Sequence, residues 1–301
     1  MPATNPAAAF YASPAVRGIA ALLRGVHRIA PALGTRLALT LFFTPLPTKA
    51  VARSRAVPPS WQERRIPFEG GHVSVWERRQ LEAGRPRVLL THGWAGDAQQ
   101  MRPLADALAE QGFAPVLLDL PAHGRSSGWR SNLLQWERAL FAATARCGPW
   151  DGVVAHSLGA LAMSHALARG LPARRAALIA IAPAPWQFLR WFAQVMGAGD
   201  GLAANMRGHF EAREGTLLQD FEPGRLGERV AQATLLVHDR ADATAPATGS
   251  ETMLAALVSG RLHLTDGLGH RRLLADAGVH RQVALHLKAE GPLCPECFTR
   301  F

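Results

Sequence analysis

The sequence has few cysteines, and it lacks both a long apolar run and a charged segment near its start. Three cysteines among 301 residues are too few for a disulfide framework, so we expect a reducing, cytoplasmic compartment. The apolar run over 37–43 stops at Pro45, well short of the roughly 20 residues that cross a bilayer. The first basic residue is Arg17, so no charged segment precedes an apolar stretch and we expect no cleavable signal peptide.

Lysine is also nearly missing, which changes how the net charge of +10 is interpreted. Only Lys49 and Lys288 are lysines, so 31 of the 33 basic residues are arginine, a bias that indicates a GC-rich coding sequence. The arginines are scattered, with pairs but no longer run. Recognition of nucleic acid requires a basic stripe or a known motif. We therefore expect a basic solvated surface and no nucleic-acid partner.

Strands alternate with helices over most of the chain. Short apolar or alternating segments predict strands at 60–68, 72–77, 88–91, 115–118, 152–155, 177–181, 234–238 and 261–264. Helical spacing predicts helices at 99–111, 133–146, 158–169, 250–258 and 273–287. This alternation is typical of an α/β fold, with a mostly parallel sheet and helices on both faces, apart from an antiparallel hairpin at the start.

The strand at 152–155 runs directly into Ser157, and a helix follows from Leu158. A serine at the apex of a sharp strand-to-helix turn is typical of a nucleophile elbow, in which the residues two before and two after must be small. Ala155 and Gly159 occupy those positions. The alternative interpretation makes Ser157 an ordinary helix N-cap. The pentapeptide alone does not decide between the two.

Two later loops supply an acid and a base in the order that an elbow serine requires. The loop after 234–238 contains Asp239 and Asp242, and the loop after 261–264 ends in His270. Both loops follow the carboxyl ends of strands, where the sites of open α/β sheets gather. We predict that His270 is the base, and that Asp242, rather than Asp239, has the reach to orient it. Asp239 is then expected to cap the turn.

Acyl transfer at Ser157 also needs backbone donors for the developing oxyanion. One candidate is the N–H group of Leu158 at the start of its helix, and the other is that of Trp94 in the loop after 88–91. His92 and His156 flank this region and are candidate substrate contacts, although packing of the loops explains them equally well. We expect no cofactor and no bound metal.

Between 184 and 233 the alternation of strands and helices stops. This segment has aromatic residues at helical spacing, with Trp186 a candidate substrate contact, and glycine-rich interruptions. It predicts an inserted helical cap over an apolar substrate. We expect the chain to divide into an N-terminal region at 1–59, a core at 60–183 and 234–288, a cap at 184–233, and a tail at 289–301.

The two ends of the chain lie outside the alternating core. Residues 1–14 are uncharged and are expected to be disordered, and an amphipathic helix with one arginine-bearing face is predicted over 15–33. Such a helix could lie on an anionic membrane, but with three arginines we interpret it as docked on the main domain. In the tail, Cys294 and Cys297 form a C-x-x-C pair that lacks a second pair for zinc, and we interpret it as part of a flexible tail.

These motifs together resemble the α/β-hydrolase superfamily. The resemblance covers roughly 61–287 and rests on five motifs: His92-Gly93-Trp94, the D-x-P-x-H-G-x-S loop from Asp119 to Ser126, Ala155-His-Ser-Leu-Gly159, Asp239-Arg-Ala-Asp242, and Gly269-His270. It implies an eight-stranded sheet, a cap between the sixth and seventh strands, and a Ser157–His270–Asp242 triad. The departures are Ala155 at the first elbow position and Asp239 where many relatives have glycine.

The resemblance is strongest to uncharacterised bacterial hydrolases, and it implies a reaction class without a substrate. We expect a serine hydrolase that cleaves a small apolar carboxylic ester or thioester through an acyl-enzyme. Two alternatives remain open at this point: a catalytically silent binding or scaffold protein on the same fold, and a C–C hydrolase or perhydrolase that uses the same triad. The sequence leaves the oligomeric state open.

Overall fold

The structure is a computed structural model that describes residues 14–45 and 48–289. Eight strands form one sheet in the order β1-β2-β4-β3-β5-β6-β7-β8. Their bounds are β1 Trp61–Phe68, β2 Gly71–Arg78, β3 Arg87–Thr91, β4 Ala114–Asp119, β5 Gly152–His156, β6 Arg175–Ile179, β7 Ala233–Asp239 and β8 Gly260–Thr265. The predicted α/β class and the mostly parallel eight-stranded sheet are confirmed.

Only β2 runs against the direction of the other strands. It pairs antiparallel with β1 on one side and with β4 on the other, and every pairing from β4 through β8 is parallel. The carboxyl ends of β3, β5, β7 and β8 therefore meet at one edge of the sheet. The loops that leave this edge contain all of the residues proposed from the sequence for catalysis.

The central strands are buried on both faces, which explains their continuous apolar sequences. Successive residues contribute to opposite sides of the sheet: Val153 and Ala155 belong to one apolar cluster, whereas Val154 between them belongs to the other. Helices cover both clusters. Those of the sheet region are α4 Ala98–Glu110, α5 Leu133–Cys147, α6 Leu158–Ala168, α10 Thr248–Ala256, α11 Gly269–Arg272 and α12 Ala277–Lys288.

Three helices lie between β6 and β7, within the segment from which the sequence predicts a cap. They are α7 Pro185–Val195, α8 Gly199–Glu214 and α9 Pro223–Gly227, with a 3₁₀ turn at Leu218–Phe221 before α9. Both α7 and α9 begin with proline. Proline is tolerated at this position because the first N–H groups of a helix make no intrahelical hydrogen bond, so its lack of an N–H group costs nothing.

The N-terminal region differs from the sequence prediction, because three helices replace the one expected over 15–33. They are α1 Pro14–Ile29, α2 Pro31–Phe42 and α3 Thr48–Ser54. Pro31 cannot donate a backbone hydrogen bond, so it ends α1 and becomes the first residue of α2. The absence of a side chain at Gly34 lets the two helices pack closely, since a Cβ there would lie 2.5 Å from Cα of His27.

Two boundaries in the core also correct the sequence prediction. The sixth strand is Arg175–Ile179 rather than 177–181; Arg175 at its start is buried, and a buried charge at a strand end carries no apolar signal. The helix expected over 273–287 begins only at Ala277. The Asp276 side chain accepts the backbone N–H of Val279 and so caps α12. The predictions for 1–13 and for Cys294 and Cys297 lie outside the described residues.

Candidate active site

Ser157 is the single residue between β5 and α6, and its backbone conformation is one that L-residues rarely adopt. Its φ is 56° and its ψ is −123°, and its side chain does not cap α6. Ser157 thus occupies the N-cap position without the side-chain hydrogen bond of an ordinary N-cap. Positive φ in a non-glycine residue is strained and occurs preferentially at functional sites. The turn presents the serine at the carboxyl edge of the sheet.

The structure brings Ser157, His270 and Asp242 together in one hydrogen-bonded chain. His270 Nε2 lies 3.0 Å from Ser157 Oγ, and His270 Nδ1 lies 2.7 Å from Asp242 Oδ2. The carboxylate accepts from Nδ1–H, so a neutral imidazole has Nε2 unprotonated and able to accept from the serine hydroxyl. This is the tautomer that a general base at this position needs.

Asp242 is held as an anion by its surroundings. Burial alone would raise its pKa, but hydrogen bonds from His238 and His270, together with backbone donors, outweigh that effect and hold the pKa of Asp242 well below its usual range. Its Oδ1 accepts from the N–H groups of Thr244 at 2.8 Å and Ala245 at 2.9 Å. The carboxylate is thus fixed in orientation and ionised at neutral pH.

Asp239 makes no contact with His270 side-chain atoms, but it fastens the loop that carries His270. Its Oδ2 accepts from Thr265 Oγ1 at 2.7 Å and from the N–H of Leu268 at 2.8 Å, while Oδ1 accepts from the N–H of Ala241 at 3.0 Å. Burial opposes ionisation of Asp239, but these hydrogen bonds outweigh it and lower its pKa to about 2. The two aspartates therefore have different roles. Asp242 orients the imidazole of His270, and Asp239 joins the loops after β7 and β8.

His156, immediately before the serine, is buried against the ring of His270. Its Nε2–H donates to the backbone carbonyl of His270 at 2.9 Å, and the two ring centroids lie 4.7 Å apart. Burial, and next the charge of His270, lower the pKa of His156 to about 3, so its ring is neutral at neutral pH. The side chain also lines the cavity described below.

The loop after β3 packs directly on the elbow. A Cβ on Gly93 would lie 2.8 Å from Cβ of Ser157, and one on Gly159 would lie 2.2 Å from the carbonyl oxygen of His92. These approaches put Trp94 and Leu158 beside the serine on the same cavity wall. Within the described chain, neither backbone N–H donates to another protein group, so both are free to bind an oxyanion.

His92 is part of the support for this loop and does not reach the cavity. It is fully buried, with Nδ1–H donating to the carbonyl of Gly93 at 2.7 Å and Nε2 accepting from the N–H of Leu120 at 3.1 Å. Both ring nitrogens are thus occupied. Burial lowers the pKa of His92, in agreement with a neutral ring.

His123 of the D-x-P-x-H-G-x-S loop supports the oxyanion loop, a role that the sequence motif does not specify. Its Nε2 accepts from the N–H of Ala95 at 3.1 Å and its Nδ1–H donates to the carbonyl of Pro121 at 2.9 Å. Ala95 has φ of 56°, so this hydrogen bond holds the loop that contains Trp94 in a strained turn. The motif signal was visible in the sequence, although its target in space was not.

A cavity of about 600 Å³ opens at Ser157. Its walls are mostly aromatic and aliphatic, and its lining includes Trp94, Leu133, Phe188, Leu189, Trp191, Phe192, Phe210 and Leu218. Trp186, which the sequence suggested as a substrate contact, is outside this lining and lies under the guanidinium of Arg207, 5.6 Å from its ring centroid. Phe42 and Phe43 at the end of α2 also line the cavity, and no sequence signal connected that helix with the site.

Comparison with known proteins identifies the family. The family model of the alpha/beta hydrolase fold matches residues 86–255, more than half of the chain. The chain belongs to the α/β-hydrolase fold family. No curated protein matches it in sequence. This α/β hydrolase has no helix among its described residues that is long and apolar enough to span a bilayer.

Solved structures share the fold at low sequence identity. A serine hydrolase from the polyaromatic hydrocarbon-degrading bacterium Cycloclasticus zankles is 16% identical with a TM-score of 0.57, covering 75% of this chain and 97% of its own. The bromoperoxidase of Bacillus anthracis is 15% identical with a TM-score of 0.58, covering 76% and 100%. A membrane phospholipase A, a bacterial virulence factor, is 16% identical with a TM-score of 0.58, covering 88% and 94%. At these identities the similarity establishes the fold.

Proposed function

We propose that this α/β hydrolase is a serine hydrolase that cleaves a carboxylic ester or thioester with an apolar acyl or aryl group. Ser157 Oγ attacks the acyl carbonyl carbon while His270 Nε2 takes the hydroxyl proton, and Asp242 stabilises the resulting imidazolium. His270 then gives this proton to the departing alkoxide or thiolate, which leaves as the alcohol or thiol. Water, deprotonated by the same imidazole, attacks the acyl-enzyme and releases the acid together with free Ser157.

The observation that carries the proposal is the unbroken hydrogen-bonded chain from Ser157 through His270 to Asp242. A strained elbow, an imidazole in the acceptor tautomer and an ionised acid are each explicable separately, but acyl transfer at a serine uses all three together. The free N–H groups of Trp94 and Leu158 support the same reaction, since they can bind the oxyanion of the tetrahedral intermediate.

The class of substrate follows from the cavity. Its volume of about 600 Å³ and its mainly aromatic and aliphatic walls suit an apolar group attached to the carbonyl. We propose that residues 184–233 act as the cap over this group, on a core of 60–183 and 234–288, with 1–59 and 289–301 as additional segments. The scarcity of cysteine supports action in the cytoplasm, and the proposed reaction needs no cofactor.

The test is a series of p-nitrophenyl esters from acetate to palmitate, assayed with the wild type and with Ser157→Ala. Ser164→Ala is the matched control, because Ser164 is a buried serine of α6 whose hydroxyl only donates to the carbonyl of Ala160. We expect kcat/KM to rise with acyl length until the cavity is filled. Ser157→Ala abolishes the reaction, and Ser164→Ala retains it. Hydrolysis that persists in a folded Ser157→Ala protein would overturn the proposal.

A further inference from the structure

The first helix exposes apolar side chains to solvent instead of burying them. Leu22 is 68% exposed and Ile29 is 88% exposed, although buried Ala20 and Leu23 fix the same helix to the body of the protein. At 100° per residue, Leu22 and Ile29 lie on one face of α1. Exposed apolar side chains of this size, grouped on one face, mark an interaction surface.

The second helix extends this pattern. Leu33 is 52% exposed and Leu37, one turn later on α2, is 39% exposed. We define the N-terminal surface as the five exposed leucine and isoleucine side chains of α1 and α2 together with three arginines: Ile19, Leu22, Ile29, Leu33, Leu37, Arg17, Arg28 and Arg36. The surface is held rigidly: Arg24 Nη1 donates to the carbonyl of Met196 at 2.9 Å, and α1 packs closely on α2 at Gly34.

The charge of this region has one sign. No aspartate or glutamate precedes Glu63, whereas seven lysines and arginines do. Arg17, Arg28 and Arg36 are exposed, and none of them forms an ion pair with a carboxylate of the described chain. Exposed apolar side chains beside unpaired arginines are the two elements by which a helix binds an anionic lipid surface.

A further exposed apolar side chain, that of Trp129, lies beside α3 and next to a residue that contacts α2. Trp129 is 65% exposed, with the ammonium of Lys49 at 5.3 Å and the guanidinium of Arg53 at 5.7 Å from its ring centroid. Arg130, its neighbour, donates to Thr40 of α2. Tryptophan is the residue type most suited to the boundary between headgroups and acyl chains.

The same helix that exposes Leu33 and Leu37 also forms part of the cavity. Its last residue, Phe42, and the following Phe43 line the cavity that opens at Ser157, and Phe42 packs edge-on against Phe192 of α7 with centroids 5.4 Å apart. One helix, α2, therefore contributes both to the N-terminal surface and to the cavity wall.

We propose that the N-terminal surface binds a membrane bearing anionic lipids and delivers apolar substrate to the cavity. A second copy of the chain fits this surface less well, because a two-fold contact would place arginines of one copy against those of the other with no acid in the segment to pair them. The delivery step rests on the proposed function. The docking step is independent of it, since no triad residue takes part.

The experiment measures co-sedimentation of the full chain carrying Ser157→Ala with large vesicles. One set of vesicles is phosphatidylcholine alone, and the other contains an equal part of phosphatidylglycerol. We expect binding to the anionic vesicles only, weakened at high salt. Leu22→Gln combined with Ile29→Gln lowers the partition coefficient by at least about tenfold, and each of Arg28→Glu and Arg36→Glu lowers it by about fivefold or more.

Matched controls come from exposed residues outside the N-terminal helices. Val258 is 86% exposed and matches Ile29, and Arg281 is an exposed arginine on α12; Val258→Gln and Arg281→Glu should bind vesicles as the parent protein does. In the active background, the surface variants should hydrolyse p-nitrophenyl acetate normally, which separates lost docking from lost folding and from failure of the proposed function.

Three results would overturn the docking proposal. The first is no binding to anionic vesicles, and the second is equal binding by the surface variants and the controls. The third is a dimer in light scattering that Leu22→Gln with Ile29→Gln dissociates, in the absence of vesicle binding, which would assign the surface to a second copy. Vesicle binding by a protein that hydrolyses no ester would leave docking standing and overturn the proposed function alone.

Discussion

The ring of His156 donates its Nε2–H to the backbone carbonyl of His270, the residue whose side chain faces Ser157. The contact joins the elbow to the loop after β8, which are 114 residues apart in sequence. The hydrogen bond from His156 holds the backbone from which the His270 side chain extends, while the hydrogen bond to Asp242 holds the orientation of the imidazole ring. We infer that His156 is a positioning residue for the base.

Removing this donor should reduce turnover more than substrate binding. We expect His156→Phe to lower kcat for a p-nitrophenyl ester by about tenfold or more, because small misplacements of a catalytic group are costly, while KM changes less than twofold. His156→Gln keeps an N–H donor and should recover part of the lost kcat. Equal kcat in all three proteins would contradict a positioning role.

The two aspartates of the acid loop should respond differently to loss of charge. Asp242→Asn should lower kcat by about 10⁴-fold, since an amide supports the wrong imidazole tautomer. Asp239→Asn should lower kcat by less than tenfold, but it should reduce the midpoint of thermal unfolding, because the carboxylate joins the loops after β7 and β8. Steady-state kinetics and calorimetry on both variants check this, and a reversed order would assign the acid to Asp239.

Gly159 should tolerate no side chain. A methyl group there would lie 2.2 Å from the carbonyl oxygen of His92, so we expect Gly159→Ala to reduce the free energy of unfolding by about 3 kcal/mol and to lower activity. Gly208→Ala is the matched control, because a Cβ at this position of α8 meets nothing within 4 Å; it should stabilise by about 0.5–1 kcal/mol. Urea denaturation distinguishes them, and equal effects would contradict the packing argument.

Stability should fall as the solution becomes acidic, in part because of His123. Burial is the largest cause that lowers the pKa of His123 from its ordinary value near 6.5 to about 3. Between these values the unfolded chain binds a proton that the folded chain does not, so stability is complete above pH 6.5 and declines as pH drops toward 3.

Replacement of His123 by glutamine should therefore flatten this decline. Below pH 6 we expect His123→Gln to remove about 1.4 kcal/mol per pH unit from the slope of unfolding free energy against pH. His209→Gln, at an exposed position of α8, should leave the slope unchanged. Urea denaturation at several pH values between 7 and 5 gives both slopes. A wild-type slope in His123→Gln would show that the folded protein protonates His123 normally.

The sheet was predictable from the sequence because its signal is local. Strands such as β5 and β7 are short apolar segments between polar loops, and their bounds differ from the prediction by a residue or so. The sixth strand was displaced because buried Arg175 hides its start. The split at Pro31 was predictable in principle, since proline ends a helix, but the regular apolar spacing across it masked the break.

The hydrogen-bond partners of individual side chains were harder to predict from the sequence than the strands and helices. Asp239 and Asp242 are three residues apart at the end of one strand, and reach alone favoured Asp242; the contacts of Asp239 with Thr265 and Leu268 depend on how β7 and β8 align. His156 and His123 act through backbone atoms distant in sequence. The contribution of α2 to the cavity wall likewise depends on how the helices pack in three dimensions, and no local sequence pattern predicts that packing.

The central claim is that Ser157 is an activated nucleophile, and covalent labelling tests it most directly. The wild type, Ser157→Ala and Ser164→Ala are treated with a fluorophosphonate, and the modified peptide is located by mass spectrometry. The account predicts one label on Ser157 in the wild type and in Ser164→Ala, and none in Ser157→Ala. A folded wild type that takes no label, or a label on a different serine, would contradict it.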